Sequence, residues 1–137
     1  MIILLDLNVA LDVLLSRHDH LESSEILSLA RTGVIEAYLP AHGVTTIYYL
    51  LQKQFSNDEA REQLKQILRI VKIALPTENV FENAFESDIA DFEDAVVVES
   101  AVSIGADYII TRNGKDFRES VIPAYSAPDF MKFFSKN

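Results

Sequence analysis

Cysteine is absent from the 137 residues, and glycine and proline number only 4 each. Without thiols there is no disulfide framework and no thiolate zinc site. So few Gly and Pro exclude long irregular segments, and no repeat, linker or low-complexity stretch interrupts the chain. Long hydrophobic runs are also missing. No segment reaches the roughly 18 apolar residues that a membrane span requires, and the opening run Ile2 to Leu5 is too short for a signal peptide and lacks a basic start. A cytoplasmic protein is the expectation. Positive charge is scarce: 12 Lys and Arg stand against 21 Asp and Glu, a formal charge of -9. That excludes binding nucleic acid through a broad basic face, but not an enzyme that reaches phosphates through metal ions.

What remains is an ordinary globular composition, 49% apolar and 24% charged. A chain of this size buries about two thirds of its unfolded surface, so one domain over 1–137 is expected. Ile2 to Leu5, ended by Asp6, reads as a buried strand, and Asn8 is expected to cap a helix from Val9 to Leu15. SRHDHLES reads as a connection. Ser23 to Ala30 has helical spacing and stops near Gly33; Val34 to Leu39 is strand-like up to Pro40. Val44, Ile47, Tyr48, Leu50 and Leu51 recur at threes and fours, which predicts a helix over His42 to Gln54. Asn57 or Asp58 caps a further helix carrying Leu64, Ile67, Leu68 and Val71 inward.

Lys72 to Leu75 follows as a strand, then a helix starts at Thr77. Ala95 to Val98 is β-branched, yet Asp91 and Asp94 look like a helix cap and first turn, and the apolar pattern continues to Ile104. A fully buried helix ending at Gly105 is the reading adopted. Tyr108 to Thr111 and, more weakly, Val121 to Tyr125 read as strands, and Pro128 to Phe134 as a closing helix. Strands alternating with helices predict an α/β/α sandwich on a mostly parallel sheet.

Ligands of such sheets gather beyond the carboxyl ends of the strands. Asp6 ends the first strand, Asn113 and Asp116 follow the fourth, and Asp88, Asp91 and Asp94 are spaced by threes. If the first and fourth strands are neighbours, these acids converge. Converging carboxylates repel, and a divalent cation removes the conflict. Oxygen ligands favour magnesium or manganese, ions suited to phosphoryl chemistry. The plainer alternative stands beside this: Asp91 and Asp94 offset a helix dipole, and Asp116 occupies a turn. Asp6 is harder to explain that way, because an acid buried at a strand end costs stability unless something binds it.

DLNVALD, DFEDA and TRNGKDF, followed by VIPAY and SAPDFMKFF, occur in an order that resembles the PIN-domain nucleases, and more narrowly the bacterial PIN proteins related to VapC-type toxins. The resemblance spans nearly the whole chain. It implies a four- or five-stranded parallel sheet in an α/β/α fold, and a ribonuclease that uses Mg2+ or Mn2+. By position, Asp6, Asp94 and Asp116 would be the catalytic metal ligands, with Asp91 close by. Asn8 would hold Asp6 or a phosphate, and Thr111 would orient a water or the neighbouring acid. The family also implies an RNA substrate, a small antitoxin partner and a homodimer. That dimer would use the Tyr48–Tyr49 helix or Phe130, Phe133 and Phe134 as an apolar patch.

Two departures matter. Many relatives carry an acid near the start of the helix after the second strand, where LPAHGVTTIYYLLQK has none and Thr45 or Thr46 takes the place. Many also carry Asp at the Asn113 position, where Asp116 would stand in. Together they imply one metal held firmly and another weakly, or a slow enzyme.

Among the remaining residues, Arg112 and Lys115 either bind substrate phosphate or balance local charge. His18 and His20 read as solvated, and His42 as capping or packing rather than facing the cleft. Tyr48, Tyr49 and Tyr108 either stack on bases or pack internally. Two other functions compete. One is an RNA- or partner-binding module with little hydrolysis. The other is a phosphatase of the haloacid dehalogenase type, which fails because Asn8 cannot donate the proton that family's second acid supplies.

Overall fold

Strand β1 (Ile2–Leu5) sends Ile3 and Leu5 to one face and Leu4 to the other, and all three are fully buried. Burial on both faces is the mark of a central parallel strand, which accounts for the unbroken apolar run. The computed structural model describes residues 1–136. β1 pairs in parallel with β2 (Glu36–Pro40) and β4 (Tyr108–Ile110), placing Ile3 beside both Ala37 and Tyr108. β3 (Lys72–Ala74) adds to β2, and β5 (Ala124–Tyr125) to β4, giving the all-parallel order β3-β2-β1-β4-β5. The first and fourth strands are therefore neighbours.

Two apolar layers enclose the sheet, as an α/β/α sandwich requires. Ile3, Leu5, Ala37 and Leu39 pack with α1 (Leu7–Leu14), α2 (His20–Arg31), α3 (Ala41–Leu51), α4 (Asn57–Leu68) and α7 (Ala127–Lys136). Leu4, Ala74 and Ile109 pack with α5 (Glu78–Phe85) and α6 (Phe92–Ser103). No described helix is long and apolar enough to cross a membrane.

Local chemistry sets the helix ends. Thr77 and Asp91 cap α5 and α6 through their side chains, as expected. Gly33 and Gly105 take φ of +80° and +68° just past α2 and α6, and the bonds Val34 N–H to Leu29 O and Ala106 N–H to Ala101 O close Schellman motifs. Ala95, Val96, Val97 and Val98 lie in α6, all buried. Burial between sheet and α5 overrides their strand preference. The helix is not buried throughout, since Phe92, Glu93, Val102 and Ser103 are exposed.

Other boundaries differ from expectation. Asp6, not Asn8, is the N-cap of α1. The α2 helix begins at His20, inside the polar stretch read as a connection, because its first turn shows no apolar period and its buried member, Ser23, is polar. Ser56, not Asn57 or Asp58, caps α4 through a capping box with Glu59, and that helix ends at Leu68, leaving Val71 buried beyond it. Val34 and Ile35 precede β2, and Pro40 ends the strand while capping α3. Phe130 is fully buried, and Tyr108 packs edge-on against Tyr125, Phe130 and Phe133. The closing aromatics thus serve the core, which leaves little of them for an apolar contact patch.

Candidate active site

Strand order reverses at β1, since β2 lies on one side and β4 on the other. The carboxyl ends of β1 and β4 thus flank the topological switch point where open parallel sheets bind ligands. Asp6 is the residue that leaves β1 there. Its N–H donates to Ile110 O at 2.9 Å, and its side chain makes no capping bond to α1. Instead Thr111 Oγ1 donates to Asp6 Oδ2 at 3.0 Å, and the Asn113 N–H donates to Thr111 Oγ1 at 3.1 Å. Asp6 is only 9% exposed. Burial raises its pKa, while the Thr111 bond opposes the rise. Thr111 thus orients the neighbouring acid, whereas the Asn8 side chain makes no hydrogen bond among the described residues.

Asp94 stands in the first turn of α6, with its own N–H held by Asp91 Oδ1 at 3.0 Å. Its pKa is pushed up to about 6, first by burial and then by Asp91, Asp6, Asp116 and Glu93. Such mutual influence means that the four predicted acids share one electrostatic field, joined by Glu93, which the sequence reading had not singled out. Successive helical residues fan out by about 100°, so Glu93 and Asp94 address adjoining parts of the site. Of the three acids spaced by threes, Asp88 and Asp91 precede α6 and only Asp94 lies within it. Asp91 does cap the helix, as the plainer reading holds, and also stands in the cluster. Asp116 sits exposed in a 3-10 turn, Gly114–Phe117. A cleft of about 530 Å³ is lined by Asp88, Asp91, Asp94, Lys115, Asp116 and Arg118, among others.

Among the described residues, no three acidic or imidazole side chains close on one point tightly enough to grip a cation alone. The donor set still fits magnesium or manganese: the acids offer hard oxygens, and burial together with the surrounding negative charge raises the pKa of Asp94. Magnesium commonly takes one or two carboxylates and completes its shell with water and substrate oxygens.

Elsewhere the structure reassigns charges. Arg112 Nε lies 3.4 Å from Asp12 Oδ2, and Arg17 Nε lies 3.2 Å from Asp12 Oδ1. Arg112 therefore balances a buried carboxylate, the second of its two expected roles. Asp12 is fully buried; burial raises its pKa and the two guanidiniums oppose that. Thr45 and Thr46, in the place of the missing helix acid, donate their hydroxyls to His42 O at 3.3 and 3.2 Å, so neither fills that acid's role. His42 lies beside the cluster, with its Nε2 packed away from solvent. Its Nε2 lies 3.8 Å from Glu93 Oε1, and His42 also acts on the charge of Asp6. Only the helical placement of His42 hinted at this. Tyr49 is exposed beneath Lys53, whose Nζ stands 5.1 Å from the ring centre.

Solved structures share this architecture. VapBC2 from Rickettsia felis, bound to a DNA fragment from its promoter, superposes with a TM-score of 0.74 at 16% identity, covering 92% of this chain and 98% of that one. FitAcB from Neisseria gonorrhoeae gives 0.66 at 20% identity, over 91% and 97%. The Mycobacterium tuberculosis toxin VapC20, which cleaves the sarcin-ricin loop, gives 0.60 at 16%, over 78% and 86%. No curated protein matches the chain. Residues 2–115 match the family model of the PIN domain. With that match spanning most of the chain and carrying Asp6, Asp91 and Asp94, the protein belongs to the PIN domain family.

Proposed function

We propose that the protein is a metal-dependent ribonuclease of one domain, working in the cytoplasm as the toxin of a toxin–antitoxin pair. One observation carries the reading. At the carboxyl end of the sheet Asp94 is raised to about 6, first by burial and then by the negative charge of Asp91, Asp6, Asp116 and Glu93, a conflict that a divalent cation relieves. Asp6, Asp94 and Asp116, with Asp91 beside them, would hold Mg2+ or Mn2+. Bound there, such an ion lowers the pKa of a coordinated water and offsets charge on phosphorus oxygens.

The chain's own residues supply the setting. Thr111 donates to Asp6 Oδ2 and holds that carboxylate in place. Burial of Asp6 removes competing water from the carboxylate. Lys115 and Arg118 bring positive charge to the cleft wall, suited to the phosphates that flank the reacting one. Kinship in fold with VapBC2, FitAcB and VapC20 supports an antitoxin partner and an RNA target. A homodimer would bury Tyr49 and the outer face of α3.

Cleavage of single-stranded RNA with manganese tests this reading. Wild-type protein should cut, and Asp6→Asn and Asp94→Asn should lose at least about a hundredfold in rate; equal rates in all three would end the idea. The pairing of Thr45 and Thr46 with His42 O favours a second reading, a PIN module that binds RNA or a partner with little hydrolysis. Calorimetry separates the two, because no manganese binding at millimolar concentration would select the second.

A further inference from the structure

Asp12 is a fully buried acid in the second turn of α1, in company with Leu7, Val9, Ala10 and Leu11, and it lies outside the acidic cluster at the carboxyl end of the sheet. A buried ion pair is weak evidence for stability, since apolar side chains of similar volume often hold a fold as well or better. Its presence here calls for another purpose.

The partners supply one. Asp12 Oδ1 meets Arg17 Nε at 3.2 Å, just past the end of α1, while Oδ2 meets Arg112 Nε at 3.4 Å, just past the end of β4. First among the attractions that oppose burial of its charge is that of Arg112. Arg112 stands between the residues that aim Asp6. Thr111, before it, donates to Asp6 Oδ2, and the N–H of Asn113, after it, donates to Thr111 Oγ1. The chain has left the sheet at this point, and Arg112 makes no backbone hydrogen bond among the described residues. Phe117 is buried and anchors the far end of the turn that carries Asp116. At the near end, the guanidinium held by Asp12 takes that part. Because the Asp6 N–H bonds to Ile110 O, α1 and the exit of β4 are joined at Asp6 and again, about 9 Å farther along the helix, at Asp12. Two joins fix an angle that one leaves free.

We propose that Asp12 is a positioning residue of the active site: through Arg112 it holds the turn at Thr111 against α1, and so sets the Asp6 carboxylate for the metal ion. The inference rests on the ribonuclease reading and deepens it. Asp12 itself touches neither substrate nor ion.

RNA cleavage with manganese, manganese calorimetry and urea denaturation test this on one set of variants. Asp12→Leu combined with Arg112→Met replaces the pair by apolar groups of similar volume, so the protein should fold with a urea midpoint near that of wild type. Its kcat should nonetheless fall about tenfold, at a KM within about twofold of wild type, and its manganese affinity should fall as well. Arg112→Met alone, assayed well below its own urea midpoint, should show the same loss, which covers a double variant that fails to fold. Arg112→Lys keeps the charge and should recover most of kcat. In a Thr111→Val background the double substitution should lower kcat by no more than about twofold further, because the pair acts through Thr111.

A folded double variant with wild-type kcat and manganese affinity would overturn the proposal. So would a loss that multiplies in full with that of Thr111→Val. If the variants weaken manganese binding in this pattern and wild type never cuts RNA, the ribonuclease reading fails alone. If wild type cuts RNA and the folded variants cut equally well, this inference fails alone.

Discussion

Thr111 Oγ1 reaches Asp6 Oδ2 across 105 residues of chain, at 3.0 Å, and fixes the carboxylate of a buried acid between two adjacent strands. Thr111→Val keeps the shape and removes the donor. A buried acceptor that loses its partner costs about 1–3 kcal/mol, so the urea midpoint should fall. The sign with pH follows from Asp6. The Thr111 bond holds its pKa down against burial, so its stabilisation is present where Asp6 is ionised and fades as pH falls through the folded pKa. Wild type and variant should therefore converge in acid; equal midpoints at neutral pH would contradict the role given to Thr111.

Asp94 makes the opposite prediction. Its pKa rises from the usual 3.8 to about 6 in the fold. Stability from a raised carboxyl is complete below the unfolded value and is lost as pH rises through the folded one. In chelator, the melting temperature should thus be higher near pH 5 than at neutral pH. Asp94→Asn should flatten that part of the profile, and manganese at neutral pH should raise the melting temperature of wild type only. A wild-type profile that falls from neutral pH toward pH 5 would contradict it.

Arg112 separates two roles that a phosphate-binding motif leaves mixed. Because its guanidinium lies against Asp12, Arg112→Met should lower stability by about 1–2 kcal/mol, a value reduced by the partial exposure of the arginine. RNA affinity should change less than in Lys115→Met. Chemical denaturation and RNA titration of both variants give the comparison, and the reverse ranking would return Arg112 to the substrate.

Asp12 itself is fully buried between Arg17 and Arg112. Asp12→Ala leaves two partly buried cations without their counter-charge and should destabilise by about 2–3 kcal/mol. Adding Arg112→Met should recover part of that loss, a coupling readable in a double-mutant cycle. Strict additivity would show that the pair contributes nothing.

Much of this was legible in the sequence because the signals are local. Asp91 and Thr77 announce helix starts, Gly33 and Gly105 announce ends, and an apolar run ended by an acid marks the central strand. The alternation indicates a parallel sheet, but the order that makes the first and fourth strands neighbours enters the sequence reading only as a condition. Long-range pairings were not legible. Nothing near Asp12 indicates that Arg112, a hundred places away, neutralises it, and nothing near His42 points to Glu93. Ser56 with Glu59 is a readable capping box, but Asn57 and Asp58 beside it compete for the same role. The first turn of α2 hides for a different reason: its buried position is filled by a polar residue, Ser23, so no apolar period shows.

The sheet closes with very short borders. β3 has three residues and β5 two, and Lys72 stands exposed on the outer one. A foreign strand would find too few backbone groups to zip onto, and a charge in its way. Strand-to-strand joining at these borders is disfavoured, and the protein's tendency to form cross-β aggregates should be low.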